Sequence, residues 1–167
     1  MALQMNAFSA QPQIGMIALG QGIENTIQAQ RVEGSGSDAS KMKAGNVAFL
    51  NTAGNGAMIS VSRTAGRPFG VLVLDPMQPE KANKDSLVVA LAGTIVYFKA
   101  GEAVSSGGDA YLMADVSSDG SADNGRAYAS AATVAGISLY KGGIFLDSGS
   151  AGDTVRVLIG STAGGLA

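Results

Sequence analysis

Short runs of β-branched and aromatic residues, each cut off by a glycine-containing turn sequence, recur from residue 46 to residue 159. That punctuation is the strongest constraint on the fold. Strands tolerate such frequent interruption, whereas a helix needs ten or more residues of unbroken 3.6-residue periodicity, on the order of three turns. No segment supplies it. Val47-Ala48-Phe49-Leu50 reads as a strand closed by Ala53-Gly54-Asn55-Gly56, whose Asn-Gly pair suits a tight hairpin. Met58 to Val61 forms the return strand. Residues 69–74 follow, ended by Asp75-Pro76, because proline lacks a ladder donor and restricts its predecessor.

Residues 76–86 have the one helix-like composition, limited to a turn or two by two prolines. Residues 87–99 carry the best strand signal, with Gly93 marking a bend or corner. Further strands are expected at 109–113, 126–130, 133–140, 144–146 and 153–159. A faint repetition is visible. Phe69-Gly70-Val71-Leu72-Val73-Leu74 precedes Leu87-Val88-Val89-Ala90-Leu91-Ala92-Gly93, and Val134-Ala135-Gly136-Ile137-Ser138-Leu139 precedes Val155-Arg156-Val157-Leu158-Ile159-Gly160. A duplicated β unit produces such an echo, and so does Gly-rich strand composition by itself. Many short strands at turn-punctuated spacing predict an all-β protein, a small Gly-rich β-barrel or sandwich.

Three regions are expected: an N-terminal arm or edge strands over 1–40, a β-barrel body over 41–160, and a C-terminal tail over 161–167. The first region is rich in Gln, Gly, Ser and Asn around the apolar patch Ile14-Gly15-Met16-Ile17-Ala18-Leu19. It reads either as an ordered strand or two, or as an extended arm that packs on a neighbour. The arm reading expects a chain lacking residues 1–30 to keep a folded body.

Composition narrows the chemistry. The chain of 167 residues contains no histidine and no cysteine, which removes His-based triads, thiolate nucleophiles, disulfides and Cys-ligated zinc. No Gly-x-Ser-x-Gly elbow, dinucleotide fingerprint or phosphate loop occurs. Glu24, Glu33 and Glu102 leave a carboxylate-dependent hydrolase as a remote alternative; the expectation is a protein that is not an enzyme and needs no cofactor. Asp115, Asp119 and Asp123 share a Gly-containing loop, so Ca²⁺ is the sharpest metal reading, but the spacing misses the EF-hand pattern and a solvated turn is favoured. The 11 basic and 13 acidic residues are scattered, offering no phosphate-binding stripe, and nucleic acid is not an expected partner. Neither a basic amphipathic face nor an apolar span of bilayer length is present, so a membrane is not expected either. No signal-peptide pattern is seen at the N-terminus, and a cytoplasmic origin is the default expectation. Low charge and abundant small side chains suit close packing against other subunits. Arg63 and Arg67 suit bidentate pairing with carboxylates of another chain, although solvated loop arginines read equally well.

The whole pattern resembles the decoration (cement) proteins of tailed-bacteriophage heads. The residues that carry the resemblance are Pro12-x-x-Gly15-Met16-Ile17-Ala18, Arg31-Val32-Glu33, and Lys43-Ala44-Gly45-Asn46-Val47-Ala48-Phe49. Phe69-Gly70-Val71, Leu91-Ala92-Gly93-Thr94-Ile95-Val96-Tyr97 and Ala100-Gly101-Glu102-Ala103-Val104 continue it. Val134-Ala135-Gly136-Ile137 and Ala151-Gly152-Asp153-Thr154-Val155-Arg156-Val157 close it. The resemblance implies a β-barrel or β-tulip-like body with an N-terminal arm. It further implies attachment to the outer surface of an assembled capsid, often as a homotrimer, and binding to the major capsid protein. No small-molecule substrate is implied. On this reading Ile14, Met16, Ile17 and Leu19 anchor the arm, and Glu33, Arg63 and Arg67 make polar contacts. The alternative is another β-rich virion or adhesion module, such as a head-fibre base or tail-tube component.

Overall fold

The computed structural model describes residues 12–18, 26–31, 44–51, 58–60, 66–77, 86–116, 125–130 and 137–160. Among these there is no helix, and the protein is all-β. The strands are β1 (Thr26–Arg31), β2 (Val47–Asn51), β3 (Met58–Ser60), β4 (Gly66–Leu72), β5 (Ser86–Ala90), β6 (Ile95–Ala100), β7 (Asp109–Val116), β8 (Arg126–Tyr128), β9 (Ile137–Phe145) and β10 (Thr154–Ile159).

They close into two barrels. The first runs β1-β3-β2-β4-β5 and returns to β1; the second runs β10-β6-β8-β7-β9 and returns to β10. Each barrel contains one parallel pair, β1 with β3 and β6 with β8, and its other pairs are antiparallel. Closure leaves no strand of either ring with an unpaired side, which removes the free edges that invite aggregation.

Alternation builds the interior. On β10, Val155, Val157 and Ile159 are buried while Arg156 and Leu158 are half-buried. On β6, Val96, Phe98 and Ala100 point inward and Lys99 is exposed. β2 differs, because Val47, Ala48 and Phe49 are all buried. A strand buried on both faces has protein on both, here the first barrel's interior and the second barrel. One apolar cluster accordingly runs through both rings, from Val47, Phe49, Val71 and Ala90 to Phe98, Leu112, Phe145 and Val157. Full burial of each large side chain contributes about 1.5–3 kcal/mol.

Two boundaries differ from the expectations. β1 is paired on one side with β3 and on the other with β5, so it is no edge strand, and the body begins no later than Thr26. Of the two strands expected at 133–140 and 144–146, the portions 137–140 and 144–145 belong to the single strand β9, and 133–136 lie outside the described residues. Lys141-Gly142-Gly143 looks like a turn in sequence, but it continues the ladder through a bulge opposite Ala110/Tyr111. The 161–167 tail lies outside the described residues.

Candidate interaction surface

Residues 12–18 cross the seam between the barrels. Gly15 N donates to Tyr97 O (2.8 Å), Tyr97 N donates to Met16 O (2.8 Å), and Ala18 N donates to Ile95 O (2.9 Å). Ile17 bridges Val96 in antiparallel fashion. From the first barrel's side, Leu74 N donates to Gly15 O (2.9 Å). The segment therefore straps the chain beyond β4 to β6.

A joint without side chains makes this approach possible. Gly45 and Gly125, both at positive φ, face Ile14 so closely that a Cβ at Gly45 would come within 2.7 Å of Ile14 Cγ2 and of Gly125 Cα. A Cβ on Gly125 would also strike Ile14. Real Cβ atoms do not approach so near, and L-residues strain at this φ, so glycine is required on both counts. Beside the joint, the side chain of buried Asn46 accepts from Gly125 N (3.3 Å).

The residues singled out from sequence thus have different fates. Ile14 is seated against the glycine joint and is half-buried. Met16 and Ile17 are half-buried and keep part of their surface to offer. Arg67 lies on β4 with its backbone opposite Leu50, and its side chain lies outside the described residues. Leu19, Glu33 and Arg63 lie outside them altogether, as do Asp119 and Asp123 of the acidic loop.

A shallow groove lies at the other margin of the first barrel. It measures about 300 Å³ and is walled by Val73, Leu74 and Pro76 on one side and Leu87 and Val88 on the other. Met77, next in the chain, is 93% exposed. Asp75 shapes this corner by accepting from Met77 N (3.0 Å). The one available signal was Asp75-Pro76 itself, which marks where the chain leaves β4.

Carboxylates elsewhere serve turns and strands. Glu102 Oε1 accepts from Ala129 N (2.8 Å), Ser130 N (2.9 Å) and Ser130 Oγ (3.1 Å). Asp153 accepts from Ser150 N (2.7 Å). Asp147 takes the Arg156 guanidinium in a two-pronged pair, Nε to Oδ2 at 2.9 Å and Nη2 to Oδ1 at 2.7 Å, and also accepts from Arg156 N. The guanidinium bonds hold the Asp147 carboxyl below the usual carboxylate range, assisted by the backbone bond and opposed by partial burial. The same pairing raises Arg156. Lys141 meets Asp109 at 2.7 Å, and that bond raises the Lys141 ammonium. Among the described residues no three carboxylates gather where they could hold a metal.

The chain matches no family model and no curated protein.

Proposed function

We propose that this chain is a capsid decoration protein. It attaches to the outer surface of an assembled tailed-phage head and binds neighbouring copies of the major capsid protein, as a homotrimer. The observation that carries the reading is the resemblance running nearly the whole length of the sequence, and the all-β barrel body is the architecture that resemblance calls for. Glu102, Asp147 and Asp153 are each engaged in turns or ion pairs of the chain's own strands. The partly exposed Met16 and Ile17 at the seam are the contact residues on this reading.

The mechanism is mechanical. A stable protein contact buries about 1,200–2,000 Å² in total, and many copies each covering a joint between capsid subunits raise the cost of separating them. Binding to the assembled shell alone then stabilises it by mass action.

Purified protein is mixed with undecorated heads, sedimented and imaged, and its size in solution is measured by light scattering. Saturable binding to the shell exterior by a small closed oligomer supports the proposal. Open helical stacks of the free protein point to a tube component instead. A monomer with no affinity for shells overturns the reading.

A further inference from the structure

The two barrels repeat one another strand for strand. β1 to β5 correspond in chain order to β6 to β10, and each pairing of the first ring has its counterpart, in the same sense, in the second. Registers agree as well. Gln30 lies opposite Met58 as Lys99 lies opposite Arg126. Leu50 faces Ile59 as Leu112 faces Ala127. Val71 pairs with Ala90 as Ile144 pairs with Leu158.

Irregularities repeat too, and these are more telling than topology. The β2–β4 ladder slips between Ala48 and Phe49, passing over Phe69; the β7–β9 ladder slips between Ala110 and Tyr111, passing over Gly142. Ahead of β2, Gly45 at φ 83° donates to Leu72 O (2.8 Å); ahead of β7, Gly107 at φ 82° donates to Phe145 O (2.8 Å). Leu72 and Phe145 return the bond to Asn46 O (3.0 Å) and Gly108 O (2.9 Å). Bulges and left-handed turns are local features that five-stranded closure does not demand. Two unrelated barrels have no reason to share them at matching positions.

We infer that the chain is two copies of one five-stranded unit joined end to end, and that the seam between them is an interface of homodimer type whose partner is a second copy of the unit. The seam has that character. β2 and β7, the equivalent strands, face one another across it, which is how an isologous contact meets itself. Its filling is apolar and continuous with both interiors, as in homodimer interfaces. The joint is the short turn before β6, where Gly93 at φ 92° is exposed and has open space around its Cα. This inference is independent of the capsid reading.

Its test is a cut. A protease recognition sequence is inserted after Gly93 in the full chain, and the folded protein is cleaved there. The two pieces are expected to elute together at the size of the uncut protein with the strand signal in circular dichroism retained, and to regain both after separation in denaturant and remixing. Pieces that come apart on cleavage, or that fail to recombine while the uncut insertion variant refolds, would overturn the inference. Native-state hydrogen exchange on the unaltered chain decides the matter even if the insertion variant does not fold. Amides of β1–β5 and β6–β10 are expected to open as two cooperative sets with the boundary at 91–94, and one undivided set would overturn it.

Discussion

The ring of Phe49 on β2 meets that of Tyr140 on β9 edge to face, with centroids 5.5 Å apart and planes at 73°. This contact joins the barrels through side chains. Phe49 is completely buried, so Phe49→Ala empties space in the shared interior. The expected loss is about 3–5 kcal/mol in equilibrium denaturant unfolding. A double-mutant cycle with Tyr140→Ala is expected to return a coupling of about 0.5–1.5 kcal/mol for the aromatic pair. A loss for Phe49→Ala below about 1 kcal/mol would mean the seam is not packed as described.

Gly70 and Gly143 hold equivalent places, and a Cβ on either would strike equivalent neighbours. For Gly70 these are Ala90 O and, at 2.6 Å, Val89 Cγ1; for Gly143 they are Leu158 O and, at 2.8 Å, Val157 Cγ1. Backbone atoms cannot swing away, so Gly70→Ala and Gly143→Ala are each expected to cost about 1–3 kcal/mol or more through overpacking. Gly152, at positive φ with nothing near it, isolates the conformational term; Gly152→Ala is expected to cost about 1–2 kcal/mol. Thermal melts of the three variants check this. A loss below about 1 kcal/mol for Gly70→Ala or Gly143→Ala would contradict the close approach.

Acid should weaken the second barrel through Asp147. Its carboxyl is held below the ordinary range in the folded chain, chiefly by the Arg156 guanidinium, so the folded state binds fewer protons than the unfolded one in that window. The stabilisation is complete above the unfolded carboxylate value of about 4 and declines as pH falls through the lower folded value. Asp147→Asn is expected to cost up to about 1 kcal/mol at pH 7, since the pair is partly exposed, and to flatten this part of the acid profile. Urea midpoints measured from pH 7 to pH 2 provide the comparison. A variant profile parallel to that of the parent would rule out Asp147 as a contributor.

Removing residues 1–30 takes away nearly all of β1 and the strap at 12–18. Because β1 separates β3 from β5, the first ring is expected to open and expose two strand edges. Loss of cooperative unfolding or aggregation on gel filtration is the expected outcome. A truncated chain that keeps the parent's size in solution, cooperativity and stability would show that β1 is dispensable.

Local signals carried much of the fold. The segments read as strands around Val47, Phe69, Leu87, Asp109 and Val155 coincide with β2, β4, β5, β7 and β10, because burial on a pleated sheet leaves β-branched and aromatic runs bounded by turn residues. The faint echo noted in sequence falls on or beside β4–β5 and β9–β10. The closing partners were not legible. β1 lacks a strong apolar run, and its parallel match to β3 depends on neighbours distant in sequence, which no local pattern encodes. Lys141-Gly142-Gly143 misled for a related reason, since the demand for glycine at 143 comes from Leu158 on another strand. As for the surface, Ile14 was picked out by its apolar setting. That setting could not distinguish a residue offered to a neighbour from one seated between Gly45 and Gly125 of its own chain.

The strap over residues 12–18 has a consequence for how the chain is made. Translation delivers it ahead of every strand of the first ring, yet its hydrogen-bonding partners Ile95 and Tyr97 leave the ribosome only after all of them. A segment made before the strands it ties together is therefore seated late, and the nascent chain must carry Met16, Ile17 and Ala18 without their β6 partners until the second half emerges.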